Sequence, residues 1–196
     1  MINKLACILL ACLCLVAPMT NKDSQLHIQK IITPSNYSVS FTADGIFSEN
    51  FVGSMFEENS NTEPLIFNSK SELDNYTKQI LREYKKFLKE NDSSDKRTML
   101  ADFIETLNGF YSCYNEDFFK TKNLVMAKIE SGSGSLQFNF DKLETNEKST
   151  LFVTVTVNYP FVQTMDYRNW VMMLEVSNSY DVDKVVINKS VSNNFI

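Results

Sequence analysis

The sequence predicts an α+β fold, an antiparallel β-meander packed against two amphipathic helices in a single domain. Three observations carry this. Apolar residues recur at helical spacing in two stretches between Leu73 and Tyr111, they alternate with polar residues at period two from Leu136 onward, and 196 residues suffice for one compact domain. Strands that follow one another through short turns pair antiparallel, and the apolar face of such a sheet needs cover that two helices can supply.

Tyr37, Val39 and Phe41 alternate with Ser38, Ser40 and Thr42, a short strand signal, and Ala43-Asp44-Gly45 reads as a turn. Phe47, Phe51, Val52, Met55 and Phe56 follow without a clean period, and Glu57 to Glu63 reads as a loop. Pro64 to Asn68 is a strand candidate that runs into Ser69-Lys70-Ser71-Glu72, the pattern of a capping box. In the helix that follows, Leu73, Tyr76, Ile80, Tyr84, Phe87 and Leu88 make an apolar stripe. Lys78, Arg82, Glu83, Lys85, Lys86 and Lys89 fall mostly off it, as on a solvated face. After a polar break from Asn91 to Lys96, Asp95 can cap a second helix with Met99, Leu100, Phe103, Ile104, Leu107, Phe110 and Tyr111 on one side and Gly109 marking its end. Cys113, just beyond and among aromatic residues, reads as a small buried apolar side chain.

The period then changes from 3.6 to 2. Leu124 to Ala127 is continuously apolar, as in a buried strand, and Ser131 to Ser135 is a glycine-bearing hairpin turn into Leu136, Phe138 and Phe140. A phosphate loop would need a helix and a Lys-Ser/Thr pair after the glycines, and a strand pattern follows instead. Leu151, Val153, Val155, Val157 and Tyr159 alternate with Phe152, Thr154, Thr156 and Asn158 until Pro160 ends the strand. A loop reaches Asn169, and Trp170, Met172, Leu174 and Val176 then alternate again, followed by a short strand around Val185 and Ile187.

The net charge of −5 argues against nucleic acid, whose phosphates need clustered Lys and Arg. His27 is the single histidine, so paired His ligands and a His general base have almost no parts to be built from. No catalytic, metal or cofactor constellation stands out; Asp181 and Asp183 lack the further ligands of a calcium loop. An enzyme is therefore not expected.

Three of the four cysteines, Cys7, Cys12 and Cys14, fall in the first fourteen residues, which is no disulfide framework. Lys4 precedes an uncharged apolar stretch from Leu5 to Ala17, a signal-peptide pattern too short to span a bilayer. Within it, Leu9-Leu10-Ala11-Cys12 has the layout of a bacterial lipobox, which would place lipid on Cys12 and tie the chain to a membrane by acyl chains. Cleavage further on, giving a secreted protein, and an uncleaved segment are the other readings. The organisation expected is a signal peptide over 1–20 with the lipobox at 9–12, a polar tether over 21–35 that holds His27, and the α+β domain over 36–196.

Glu116-Asp117-Phe118-Phe119, then Asn123-Leu124-Val125, then Glu130 to Ser135, resemble the C-terminal domain of the protease-complex accessory (PrcB-like) family. Tyr159-Pro160, Val162 to Asp166 and Trp170 leading into Leu174-Glu175-Val176 extend the resemblance in order, and Asn68 to Leu73 looks like the family's strand-to-helix junction. It covers roughly 65–187. Members often carry His near the Ser-Gly-Ser turn and beside the tryptophan, where this chain has Gln137 and Val171. The resemblance implies an extracytoplasmic, lipid-anchored or secreted accessory protein that contacts another protein, a protease above all, as inhibitor or stabiliser. Its implied binding edge is the glycine turn at Gly132, Ser133 and Gly134 with the loop carrying Thr164, Asp166 and Trp170. The competing expectation is an envelope-surface lipoprotein without a protease partner.

Overall fold

A computed structural model describes residues 30–43, 63–90 and 95–193. The signal segment with Cys12, and His27, lie outside the described residues, as do Asp44, Gly45 and the loop from Glu57 to Thr62. In chain order the elements are β1 (Lys30–Ile31), a 3-10 turn (Pro34–Asn36), β2 (Tyr37–Ala43), β3 (Leu65–Phe67), α1 (Lys70–Glu90), α2 (Lys96–Tyr111) and α3 (Glu116–Phe119). Five long strands follow: β4 (Lys122–Ser133), β5 (Gln137–Thr145), β6 (Thr150–Tyr159), β7 (Tyr167–Ser177) and β8 (Lys184–Asn193).

The fold is α+β, with antiparallel sheet against two amphipathic helices. Its strands divide into two four-stranded sheets, ordered β2-β7-β4-β3 and β1-β5-β6-β8. One core joins α1 and α2 to the first sheet through Leu73, Ile80, Phe103, Leu107, Leu124, Met126 and Met173. The other lies between the sheets and holds Val125, Ile129, Leu143, Leu151, Val153, Val155, Met172 and Leu174. The β2-β7-β4-β3 sheet is thus the middle of three layers.

The strand order departs from a single meander. From β4 onward only β5 and β6 pair with each other as successive strands, and β8 runs parallel to β6 with β7 as the crossover through the other sheet. The cause lies in the apolar pattern. Successive residues of a strand point to opposite faces, so the consecutive apolar runs Leu124–Ala127 and Val171–Leu174 have two faces to cover, one by helices and one by a second sheet. β6, apolar on one face only, belongs to the outer layer.

Local chemistry sets the helix boundaries. Ser69 Oγ accepts the Glu72 N–H at 3.2 Å, and Glu72 Oε2 accepts the Asn68 N–H at 2.7 Å, so the capping box closes one residue upstream of Ser69. Leu73, Ile80, Tyr84 and Leu88 of the expected α1 stripe are buried, with Tyr76 and Phe87 half-buried beside them. Asp95 stands at the N-cap position of α2, but its side chain makes no capping hydrogen bond. Gly109 does not end α2, which runs on to Tyr111. Tyr84 and Phe103 stack at 3.8 Å between centroids and join the two helices.

Two further expectations are corrected. Cys113 is exposed, because Tyr111 at the end of α2 and Tyr114 just beyond it take the inward positions and leave the residues between them outside. The tether is not polar chain up to residue 35: β1 pairs Lys30 and Ile31 with Thr145 and Glu144, and Ile32 is 1% exposed, its N–H donating to the Leu143 carbonyl at 2.9 Å. The described fold therefore begins before Asn36. No described helix is long and apolar enough to cross a membrane.

Candidate functional site

β4 and β7 are neighbours in the middle sheet, and their ends carry Gly132 and Ser133 opposite Arg168 and Tyr167. β5 and β6 are neighbours in the outer sheet, with Gln137 opposite Asn158 at the same end of the molecule. Two connections meet there, the turn from β4 to β5 and the loop from β6 to β7. The turn is not a hairpin: β4 and β5 belong to different sheets, and it carries the chain from the middle layer to the outer one, closed by the Leu136 N–H donating to the Ser133 carbonyl at 3.2 Å.

The six residues that mark the expected binding edge come together at this corner. Ser133 Oγ donates to the Thr164 carbonyl at 2.9 Å and lies 2.8 Å from Thr164 Oγ1. The Gly134 N–H donates to Asp166 Oδ1 at 3.2 Å, and the Trp170 indole N–H donates to the Ser133 carbonyl at 3.2 Å. The Trp170 ring also packs on Phe138, 4.9 Å between centroids. Two residues that sequence reasoning did not single out complete the latch. Ser135 Oγ accepts the Thr164 N–H at 3.3 Å, and Arg168 Nε donates to Asp166 Oδ2 at 3.0 Å.

The glycines are here for room. A Cβ on Gly132 would stand 3.2 Å from Leu136 Cδ1, and one on Gly134 would collide with the Asp166 carboxylate. Asp166 is held ionised: the Thr164 hydroxyl, then the Arg168 guanidinium and the Gly134 N–H, bring its carboxyl from the ordinary value down to about 2. Charge-assisted bonds donated to an ionised acceptor are the stronger kind, which suits a carboxylate that holds a loop.

The latch presents what it does not itself use. Phe161 is 79% exposed, Val162 77%, and Met165 fully exposed, three large apolar side chains on one short loop. Isolated exposed apolar residues need no explanation, whereas three of them on one short loop are a feature of this corner. Their signal in the sequence is Phe161-Val162 directly after the strand-ending Pro160, apolar residues on a loop and outside any alternating pattern.

Elsewhere the surface offers less. A cleft of about 280 Å³ lies between Glu63, Pro64, Ile66, Asp183, Lys184 and Val185, where β3 and the start of β8 approach. It contains none of the residues of the corner. Among the described residues no three His, Cys, Asp or Glu side chains come together as a metal site.

Comparison of the chain with protein-family models, with curated proteins and with solved structures finds no match in any of the three.

Proposed function

We propose that this chain is an exported, lipid-anchored accessory protein that binds another extracytoplasmic protein, with a protease as the partner class implied by the PrcB-like resemblance, and that it is not an enzyme. The observation that carries the reading is the latched loop, on which Phe161, Val162 and Met165 stand exposed while Ser133, Gly134, Thr164, Asp166 and Trp170 fix its position. A loop already held in one conformation loses little entropy when a partner engages it, which is how a small contact becomes a specific one. The setting also suits a tethered protein. β1 enters beside Thr145, at the far end of β5 from Gln137 and the loop. Over the nine residues of β5, a rise of about 3.3 Å per residue separates the two ends by roughly 26 Å. A chain anchored through residues upstream of Lys30 would present the loop away from its anchor.

Two measurements test this. Palmitate labelling with and without globomycin reads lipidation at Cys12, and the anchored reading requires label that is lost in Cys12→Ser. Affinity isolation of the full chain from envelope fractions reads the partner: recovery of a protease supports the accessory role. Recovery of none, with the chain intact at the envelope, favours the structural lipoprotein.

A further inference from the structure

The outermost face of α1 carries a stripe of cations. At about 100° per residue, Lys78, Arg82, Lys85, Lys86 and Lys89 fall within a sector of roughly 100°, opposite the Leu73, Ile80, Tyr84 and Leu88 that face the sheet. All five are exposed, and the stripe runs about 16 Å along the helix. None of the five pairs with a described carboxylate, whereas Lys70, Lys120, Lys122, Lys142, Arg168 and Lys189 each do. The acids of α1 leave the sector positive. Glu72 caps the helix at the Asn68 N–H, Asp74 is taken by Lys70, and Glu83 and Glu90 stand to one side. A chain of net charge −5 thus collects cations on the layer farthest from the outer sheet.

We propose that this stripe seats the domain on an anionic phospholipid surface, helical layer down and outer sheet away from the bilayer. Charge and shape both favour that partner. Cations in one line on a convex helix can all meet a plane at once, and each Lys or Arg near anionic headgroups adds to the attraction. A flexible polyanion would meet the rest of an acidic chain as it wrapped, whereas a plane meets only the face turned to it. The tether allows the pose. Eighteen residues separate Cys12 from Lys30, up to roughly 60 Å of chain when extended. The outer face of α1 lies roughly 25 Å from the sheet that holds β1, a helix layer and one sheet spacing away. A chain anchored at Cys12 can therefore lie on α1. The stripe alone binds weakly, but a tether keeps it at the surface, so that it orients the domain. The proposal rests on the membrane-tethered reading only for the source of the surface, and it is independent of the protein partner.

The test places the full chain, as recovered from the cells that produce it, on phosphatidylcholine vesicles with or without phosphatidylglycerol. A fluorescent noncanonical residue replaces Asn75, within the stripe, or Asn139, on the exposed face of the outer sheet. Energy transfer to a headgroup-labelled lipid reads the height of each above the bilayer. With phosphatidylglycerol, stronger transfer from 75 than from 139 is expected. The preference should vanish in pure phosphatidylcholine, in high salt, and in the triple variant Arg82→Gln, Lys85→Gln, Lys89→Gln. The three substituted side chains are exposed, so the variant stays folded, which circular dichroism confirms. Equal transfer from the two positions, stronger transfer from 139, or a preference that survives in the variant or without phosphatidylglycerol overturns the proposal. Tight binding of soluble polyglutamate, with no preference for the phosphatidylglycerol surface, assigns the stripe to an acidic protein and also overturns it. A chain recovered without lipid ends the anchored reading and leaves the stripe to be judged by sedimentation with the same vesicles. Sedimentation with phosphatidylglycerol that weakens about a hundredfold in the triple variant then supports the proposal, and none overturns it.

Discussion

The Gly134 N–H donates to one oxygen of the Asp166 carboxylate at 3.2 Å, and a Cβ at position 134 would overlap the other oxygen. No described glycine has a positive φ, so position 134 requires glycine for close approach and not for backbone conformation. The contact joins connections that serve both sheets, since the turn leaves the middle layer for the outer one and the loop returns. Fixing the two connections together fixes the end of the sandwich on which the apolar side chains are displayed.

Gly134→Ala should therefore release the loop with only a modest effect on the fold. The added methyl forces the carboxylate aside, a local overpacking of the kind that costs about 1–3 kcal/mol. Amide exchange and limited proteolysis should accelerate at 161–166 and stay unchanged in β6 and β7. Unchanged protection of the loop would show that Asp166 yields without loosening it.

The latch should be insensitive to pH through the neutral range and fail only in strong acid. Asp166 has its carboxyl pKa lowered in the folded state to about 2. A lowered folded-state value contributes stability that is complete above the ordinary value of about 3.9 and is lost as the pH falls through the folded one. Trp170 is the only tryptophan and its indole N–H is bonded to the Ser133 carbonyl, so its emission or its indole proton resonance reports on the corner. A change centred near pH 2, absent from Asp166→Asn, is expected. A midpoint near 4 would mean that Thr164, Arg168 and Gly134 do not hold the carboxylate in solution.

The helices and most of the strands were legible because each rests on a local pattern, whereas the grouping of the corner residues was only implied by the family resemblance. The α1 stripe follows a single period, Ser69 and Glu72 declare the helix start, and Leu151 to Val157 alternate without interruption. The division into two sheets was not legible in the same way. Leu124 to Ala127 announce burial on both faces, but nothing local says whether helix or sheet covers each face, and the parallel pairing of β8 with β6 is a long-range choice. Bulges hide further information: the register shifts between Phe140 and Lys142, so the alternation that begins at Leu136 changes face before Leu143. At the corner, the family resemblance implied Thr164 and Asp166 as part of a binding edge; in the structure their polar groups bond to the β4–β5 turn, and Met165 between them is exposed.

Tyr76→Phe should be neutral or stabilising. The Tyr76 hydroxyl is buried without a hydrogen-bond partner among the described residues, and its ring packs on Phe67 at 5.3 Å. Burial pushes its pKa up. An unsatisfied buried hydroxyl costs about 1–3 kcal/mol, so removing the oxygen while keeping the ring should recover part of that. Urea unfolding of the variant beside Tyr111→Phe checks it. The Tyr111 hydroxyl has a weak contact with Met126 Sδ at 3.9 Å, and its loss should be close to neutral. Destabilisation of Tyr76→Phe by more than about 1 kcal/mol would show that the hydroxyl has a partner, such as a buried water.

Met165→Ala and Leu174→Ala remove comparable apolar side chains from opposite environments, and the two should separate binding from folding. Leu174 is fully buried between the sheets, and its truncation leaves a cavity in the middle layer at a cost of about 2–5 kcal/mol. Met165 touches no core, and its truncation should change stability by less than about 0.5 kcal/mol. Urea midpoints measure both. If Met165→Ala were as destabilising as a core truncation, its side chain would be packed in solution, and the loop could not be displaying it to a partner.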